Sequence, residues 1–250
     1  MIEELLDLPV SAAEAFGDDP RAALFPGEEA LVERASPRRR REFATARHCA
    51  RTALARLGRP PSAVLADPDG APRWPDGITG SITHCAGYRA AAVALTGDVV
   101  SLGLDAAPNQ PLRKPGMLEL IARETERARL PRLRAAAPGV CWDQLLFSAK
   151  ESVYKAWYPV ARRWLDFDAA EIEFDIRGTF SACLLADVPP ELTAAAGTAR
   201  CLPGVWTASA EFLLTAVVAR RGVTADAGGG GQRASGGRGQ RTMNDPAMPI

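Results

Sequence analysis

Lysine is almost missing from this chain of 250 residues: of 30 basic residues only three, Lys114, Lys150 and Lys155, are lysines, and arginine supplies the rest. A bias of that kind is mutational in character, so its exceptions are informative. Lys150 and Lys155 bracket Glu151, whereas Lys114 stands among prolines. Net charge is missing too, because 30 acidic residues balance the basic ones. A dedicated nucleic-acid binder usually carries a strongly basic domain, so the balance argues against that class and any basic site must be local. No apolar run approaches the roughly 20 residues that span a bilayer; the longest late one is Phe212 to Ala219. The first residues, Met-Ile-Glu-Glu-Leu-Leu-Asp, lack the cationic start and long apolar core of a signal peptide. A soluble, cytoplasmic protein without membrane insertion is expected. Cys49, Cys85, Cys141, Cys183 and Cys201 form an odd set with no Cys-x-x-Cys spacing, which predicts reduced, mostly buried thiols rather than a disulfide framework or zinc site.

What is present describes a globular chain of one or two domains, since a 47% apolar fraction is ample for a core. Ser36-Pro37 supplies an N-cap and an N1 proline. Phe43, Ala46, Ala50, Ala53, Leu54 and Leu57 then recur at helical spacing until Gly58 and Pro60. Arg38 to Arg41, Arg47 and Arg51 decorate this helix, most simply as a solvated charged face. The stretch from Asp67 to Gly77 is turn-rich and reads as a loop. Arg89 to Thr96 and Val99 to Asp105 read as strands, and Gly97-Asp98 between them as a hairpin turn, which puts Asp105 at a strand end. Pro108, Pro111 and Pro115 mark a boundary between an N-terminal half, residues 1–107, and a C-terminal half, residues 108–221. The second half predicts helices over 116–129 and 143–158, the latter ended by Pro159, then strands over 171–176, 180–186, 205–210 and 212–220. Residues 222–250 hold no aromatic residue or leucine but eight of the 22 glycines, and read as a disordered tail. The order of helix then strands, twice, predicts an α+β fold of two similar halves.

Three patterns carry chemistry. In the helix over 143–158, Leu146, Ala149, Val153 and Trp157 form an apolar face, and Lys150 projects close to it. Glu151 and Lys155 share another face. Such a pair is usually a surface ion pair of about 0.3–0.5 kcal/mol. Here its neighbours are aromatic, and lysine is the compact cation suited to phosphate contact or proton transfer. The second pattern, Gly80-Ser-Ile-Thr-His-Cys-Ala-Gly87, sits between the loop and the first strand and can offer N–H groups, hydroxyls and the His84 imidazole to an anion. The other histidine, His48, reads as structural. The third is Leu102-Gly-Leu-Asp105, whose carboxylate either caps a turn or, with Glu151, holds Mg²⁺.

These pieces occur in the order of the broad-specificity 4′-phosphopantetheinyl transferases, which the chain resembles from about Arg38 to Arg220. The resemblance rests on Arg39-Arg-Arg-Glu-Phe-x3-Arg47, Trp74-Pro75, Gly80-Ser81-x2-His84-Cys85, Gly103-Leu104-Asp105, and Phe147-x2-Lys150-Glu151-x3-Lys155-Ala156-Trp157. It implies two α+β halves related by a pseudo-twofold axis, with coenzyme A at their junction, and a monomer. It also implies transfer of the 4′-phosphopantetheine group from coenzyme A to a serine of an acyl or peptidyl carrier protein, releasing 3′,5′-ADP, in siderophore, polyketide, nonribosomal-peptide or fatty-acid synthesis. By the same resemblance Asp105 and Glu151 hold Mg²⁺, Glu151 helps deprotonate the serine directly or through water, and Lys155 stabilises the pyrophosphate charge and can protonate the leaving group. Arg39, Arg47 and His84 contact the 3′-phosphate, Ser81 lies beside the adenosine and phosphates, and Lys150 adds a cofactor contact.

The family commonly has a second acid two positions after the aspartate, and here that position is Ala107. This departure motivates an alternative, a degenerate member that binds coenzyme A or a carrier protein without turnover. Nucleic-acid binding through Arg38 to Arg41 is disfavoured by the charge balance.

Overall fold

The computed structural model describes residues 1–196 and 200–221. The expected tail over 222–250 lies outside these. A one-turn helix α1 (Ile2–Leu5) precedes strand β1 (Ser11–Phe16), neither of which the periodicity predicts. Helix α2 (Glu28–Leu31) and the long helix α3 (Pro37–Arg56) follow, then the short strands β2 (Leu65–Ala66) and β3 (Pro72–Arg73) and the long strands β4 (Ile78–Cys85), β5 (Tyr88–Leu95) and β6 (Val99–Pro108). Helices α4 (Met117–Ile121), α5 (Glu124–Ala136) and α6 (Trp142–Ala161) lead to β7 (Ala170–Asp175) and β8 (Thr179–Leu184). Helix α7 (Pro190–Ala196) and strands β9 (Cys201–Ala208) and β10 (Phe212–Arg220) complete an α+β fold.

Helix α3 begins as its sequence dictates, with the Ser36 side chain accepting from the Arg39 N–H and Pro37 at N1. It packs Ala50, Ala53 and Leu54 on Ala91 and Val93 of the antiparallel sheet β1-β5-β4. Buried Glu28 ties α2 to α3 by accepting from Arg51 at 3.0 Å and from the Val64 N–H at 2.8 Å. Helix α6 lays Trp142, Leu146, Ala149, Val153 and Trp157 on the five-stranded sheet β6-β10-β9-β8-β7. A third core, which includes Tyr88, Leu102, Leu104 and Leu214, lies between the sheets.

The hairpin expected at Gly97-Asp98 does not form. Strand β6 turns away from β5 and pairs with β10, with Asp105 opposite Thr215. Its other edge meets β4 through side chains: the Leu104 N–H donates to Ser81 Oγ and the Ala106 N–H to Thr83 Oγ1, both at 3.0 Å. These hydroxyls replace a backbone ladder and join the two sheets. The tight hairpin is instead β4–β5, turning at Ala86-Gly87 with Gly87 at φ +85°. The Gly80–Gly87 segment is therefore largely strand, and Asp105 lies within β6 rather than at its end.

Other corrections have local causes. The helix expected over 116–129 breaks at Ala122, because Glu126 accepts from the Arg123 N–H at 2.7 Å and starts a new helix there. Pro159 does not end α6, which runs two residues further and stops where Arg162 adopts φ 50°. Cys183 and Cys201, opposite each other on β8 and β9, form a disulfide, contrary to the reduced thiols expected. Cys49 is a free, buried thiol, while Cys85 and Cys141 are free and half-buried.

Lys150 is 3% exposed, and its ammonium donates to Phe167 O at 2.6 Å and Ala170 O at 2.9 Å and pairs with Glu126 at 2.8 Å. Three acceptors use its three protons. Burial pushes its pKa down, and Glu126 opposes that shift. Removing one partner of a buried pair strands the other charge, so Lys150→Met should lower stability by about 3–5 kcal/mol, measured by denaturant unfolding.

Candidate active site

Helical spacing aligns Ser148, Glu151 and Lys155 on the side of α6 that faces β6, whereas Lys150 points towards α5 and β7. Close approach is possible because Gly103 lets β6 pass directly beneath the helix backbone. Two residues on, Asp105 is 8% exposed and receives Lys155 Nζ on Oδ1 at 2.6 Å and Ser148 Oγ on Oδ2 at 2.8 Å. Lys155 also donates to Leu104 O at 3.1 Å. Glu151 has no hydrogen bond or ion pair among the described residues. Burial and the neighbouring Asp105 charge raise its pKa, and Lys155 lowers it. The arrangement is two carboxylates and one ammonium, with one carboxylate free of partners among the described residues.

Glu151, Lys155 and Ser81 line a cavity of about 660 Å³ between α6, β4 and the loop 67–74. Trp74 donates its Nε1–H to Gly80 O at 3.0 Å, and a Cβ on Gly80 would lie 2.9 Å from the Trp74 ring, which accounts for that pairing of residues. The loop is tied to α6 by Tyr158 Oη donating to Asp69 at 2.5 Å and Arg162 to Asp67 at 2.8 Å. On the other side of Glu151 lies a smaller cavity of about 70 Å³, walled by Tyr154, Trp164, Leu165 and Phe167.

The remaining expected site residues stand off that cavity. Arg39 donates to His84 Nε2, which fixes that nitrogen as an acceptor. His84 keeps exposed surface, yet desolvation by the protein around it, followed by the Arg39 charge, holds its pKa down to about 4. It is neutral at neutral pH. Arg47 is buried, donates Nε–H to Val64 O at 2.9 Å and lies 4.0 Å over the Phe43 ring. Burial lowers its pKa to about 10, so it stays charged. Of the four consecutive arginines, Arg38 pairs with Glu42 at 2.9 Å, Arg40 with Val32 O at 3.2 Å and Arg41 with Asp18 at 3.3 Å; Arg39 alone turns to His84.

Sequence reasoning missed Thr83, Ser148 and Thr215 around Asp105, and Tyr158 and Asp69 at the cavity rim. Ser148 had a signal, standing three residues before Glu151 on the same helix face. Thr215, alone in an apolar strand, had none.

Residues 27–94 match the 4′-phosphopantetheinyl transferase N-terminal domain family, and residues 101–208 match the 4′-phosphopantetheinyl transferase superfamily. The chain is 48% identical over 231 residues to the 4′-phosphopantetheinyl transferase Svp of Streptomyces mobaraensis, covering 91% of this chain and 90% of that protein. It is 43% identical to the 4′-phosphopantetheinyl transferase PptT of Mycobacterium tuberculosis, over 82% of this chain and 90% of that one. Identity to the 4′-phosphopantetheinyl transferase Npt of Nocardia iowensis is 41%, over 87% and 99% of the two chains. With family matches over both halves and relatives of this identity along most of its length, the chain belongs to the 4′-phosphopantetheinyl transferase superfamily and is an enzyme of that kind.

Proposed function

We propose that the enzyme transfers the 4′-phosphopantetheine group of coenzyme A to a serine of an apo carrier protein, with Mg²⁺, at the Asp105–Glu151–Lys155 cluster. The observation that carries this reading is the Glu151 carboxylate, unpartnered, raised in pKa and set beside Asp105 at a cavity large enough for a nucleotide. A raised carboxylate pKa moves Glu151 towards the range of an effective general base. Glu151 takes the proton of the carrier serine as its oxygen attacks the β-phosphorus of coenzyme A. The bond from that phosphorus to the bridging oxygen breaks, and 3′,5′-ADP leaves. Lys155 stabilises the charge that collects on the pyrophosphate and protonates the leaving group.

The cation is tested by the donors at hand. Among the described residues no cluster of three or more His, Cys, Asp or Glu could hold a metal. Magnesium needs fewer, since one or two carboxylates plus substrate phosphates and water commonly hold it. Asp105 and Glu151 fit that requirement, and Ala107, buried two positions along β6 from Asp105, adds no ligand. When bound, the ion neutralises pyrophosphate charge.

In this reading the Arg39–His84 pair and Arg47 receive the 3′-phosphate. Ser81 Oγ accepts from Leu104 and keeps its own proton for the nucleotide in the cavity it lines. Lys150 has no proton left for coenzyme A and instead holds α6 to α5 and β7. The halves 1–107 and 108–221 are taken as a pseudo-twofold pair. No helix among the described residues is long and apolar enough to cross a membrane. The enzyme is taken to act as a monomer in the cytoplasm. Carrier proteins of siderophore, polyketide, nonribosomal-peptide or fatty-acid synthesis are the partners. Intact mass tests this: apo carrier proteins incubated with enzyme, coenzyme A and Mg²⁺ should gain one phosphopantetheine group, and no gain on any of them would refute the reading.

A further inference from the structure

We propose that Ser148, Thr215 and Thr83 are positioning residues whose buried hydroxyls hold the Asp105 carboxylate in the orientation required of a divalent-cation ligand. The inference rests on the reading of Asp105 as such a ligand. Ser148 and Thr215 are 0% exposed and Thr83 is 2% exposed, so water does not substitute for any of them. Each hydroxyl has one proton, and the geometry says where it goes. Ser148 donates to Asp105 Oδ2 at 2.8 Å. Its oxygen is then free to accept from Thr215 Oγ1, 3.0 Å away, whose proton is shared with Ser148 O at 2.9 Å. Thr83 Oγ1 is already an acceptor for the Ala106 N–H at 3.0 Å, which turns its own proton to Asp105 Oδ1 at 3.4 Å.

The three hydroxyls come from α6, β10 and β4, so they fix the carboxylate to the helix and to both sheets at once. Packing alone does not call for them. Thr215 sits in the run Phe212-Leu-Leu-Thr-Ala-Val-Val, where a valine of the same shape would fill the same space without a polar atom to satisfy. What the set supplies is a donor on each carboxylate oxygen, Thr83 on Oδ1 and Ser148 on Oδ2, with Thr215 behind Ser148 polarising that link. Partners of metal-ligating groups that fix their orientation typically change metal affinity or activity by about 10–100-fold when removed.

The experiment compares Thr215→Val, which keeps the shape and deletes the hydroxyl, with Thr215→Ser, which keeps the hydroxyl, and with Ser148→Ala. Two quantities are read: Mn²⁺ binding in the presence of coenzyme A, followed by the electron-spin resonance of the free ion, and the Mg²⁺ concentration for half-maximal transfer. Thr215→Val and Ser148→Ala should weaken both by about 10-fold or more, while Thr215→Ser stays close to the unsubstituted protein. If Thr215→Val only lowers the melting temperature and leaves both metal constants unchanged, the hydroxyls are structural and the proposal is overturned. Failure of the unsubstituted protein to bind Mn²⁺ or to transfer would instead overturn the reading of the site on which the proposal rests.

Discussion

Glu151→Gln should reduce carrier-protein modification by at least about 10³-fold, because the substitution removes a general base and a cation ligand together. The amide is nearly isosteric, and Glu151 makes no hydrogen bond or ion pair among the described residues, so folding should be little affected. The acid side of the pH profile offers a second readout. Burial and the Asp105 charge disfavour the Glu151 carboxylate, and Lys155 only partly offsets them. Deprotonation is needed for base catalysis, so kcat/KM of the unsubstituted enzyme should fall as pH drops through a value above that of an ordinary glutamate. Any residual activity of Glu151→Gln should lack that limb. Transfer kinetics followed by intact mass from pH 5 to 9 check both outcomes; near-normal kcat in the variant would remove Glu151 from the chemistry.

The helix that carries Glu151 was legible because its signals are local. Apolar residues at 3.6 spacing gave its buried face, and the scarcity of lysine drew attention to Lys150 and Lys155. Scarcity did not separate their jobs, since Glu126, the partner of Lys150, lies on a helix that the sequence placed wrongly. Pairing over long distances was the part least visible. Strand β6 finds its partner β10 more than 100 residues away, and its other edge is satisfied by side-chain hydroxyls, a choice that β propensity does not encode. The Cys183–Cys201 bond likewise depends on the register of β8 and β9, and counting cysteines gives no register. Around Asp105, Thr83 and Thr215 read as ordinary strand residues until the sheets bring Thr83 to the carboxylate and Thr215 to Ser148, which holds its other oxygen.

Gly103→Ala should be the most damaging small substitution in the fold. A Cβ at this position would lie 1.8 Å from Ser152 O and 2.6 Å from Ala156 N, both backbone atoms of α6. No rotamer relieves a clash between a methyl group and a helix backbone, so β6 and α6 must separate. That separation also opens the core in which Val153 and Trp157 pack on Val217. Overpacking costs typically about 1–3 kcal/mol and more where nothing can yield, so a loss of about 3 kcal/mol or more is expected. For a chain of this size that is a fall in melting temperature of about 6–12 °C. Gly97→Ala is the control, because a Cβ there meets nothing within 4 Å and should change stability by no more than about 0.5 kcal/mol. The two effects of Gly103→Ala are coupled through geometry: the same displacement moves Asp105, on β6, away from Glu151 and Lys155, on α6. Protein that remains folded at low temperature should therefore show a raised Mg²⁺ requirement as well as a lower kcat. Thermal unfolding with a Mg²⁺ titration of transfer separates this outcome from simple destabilisation, in which the folded fraction would keep its normal Mg²⁺ dependence.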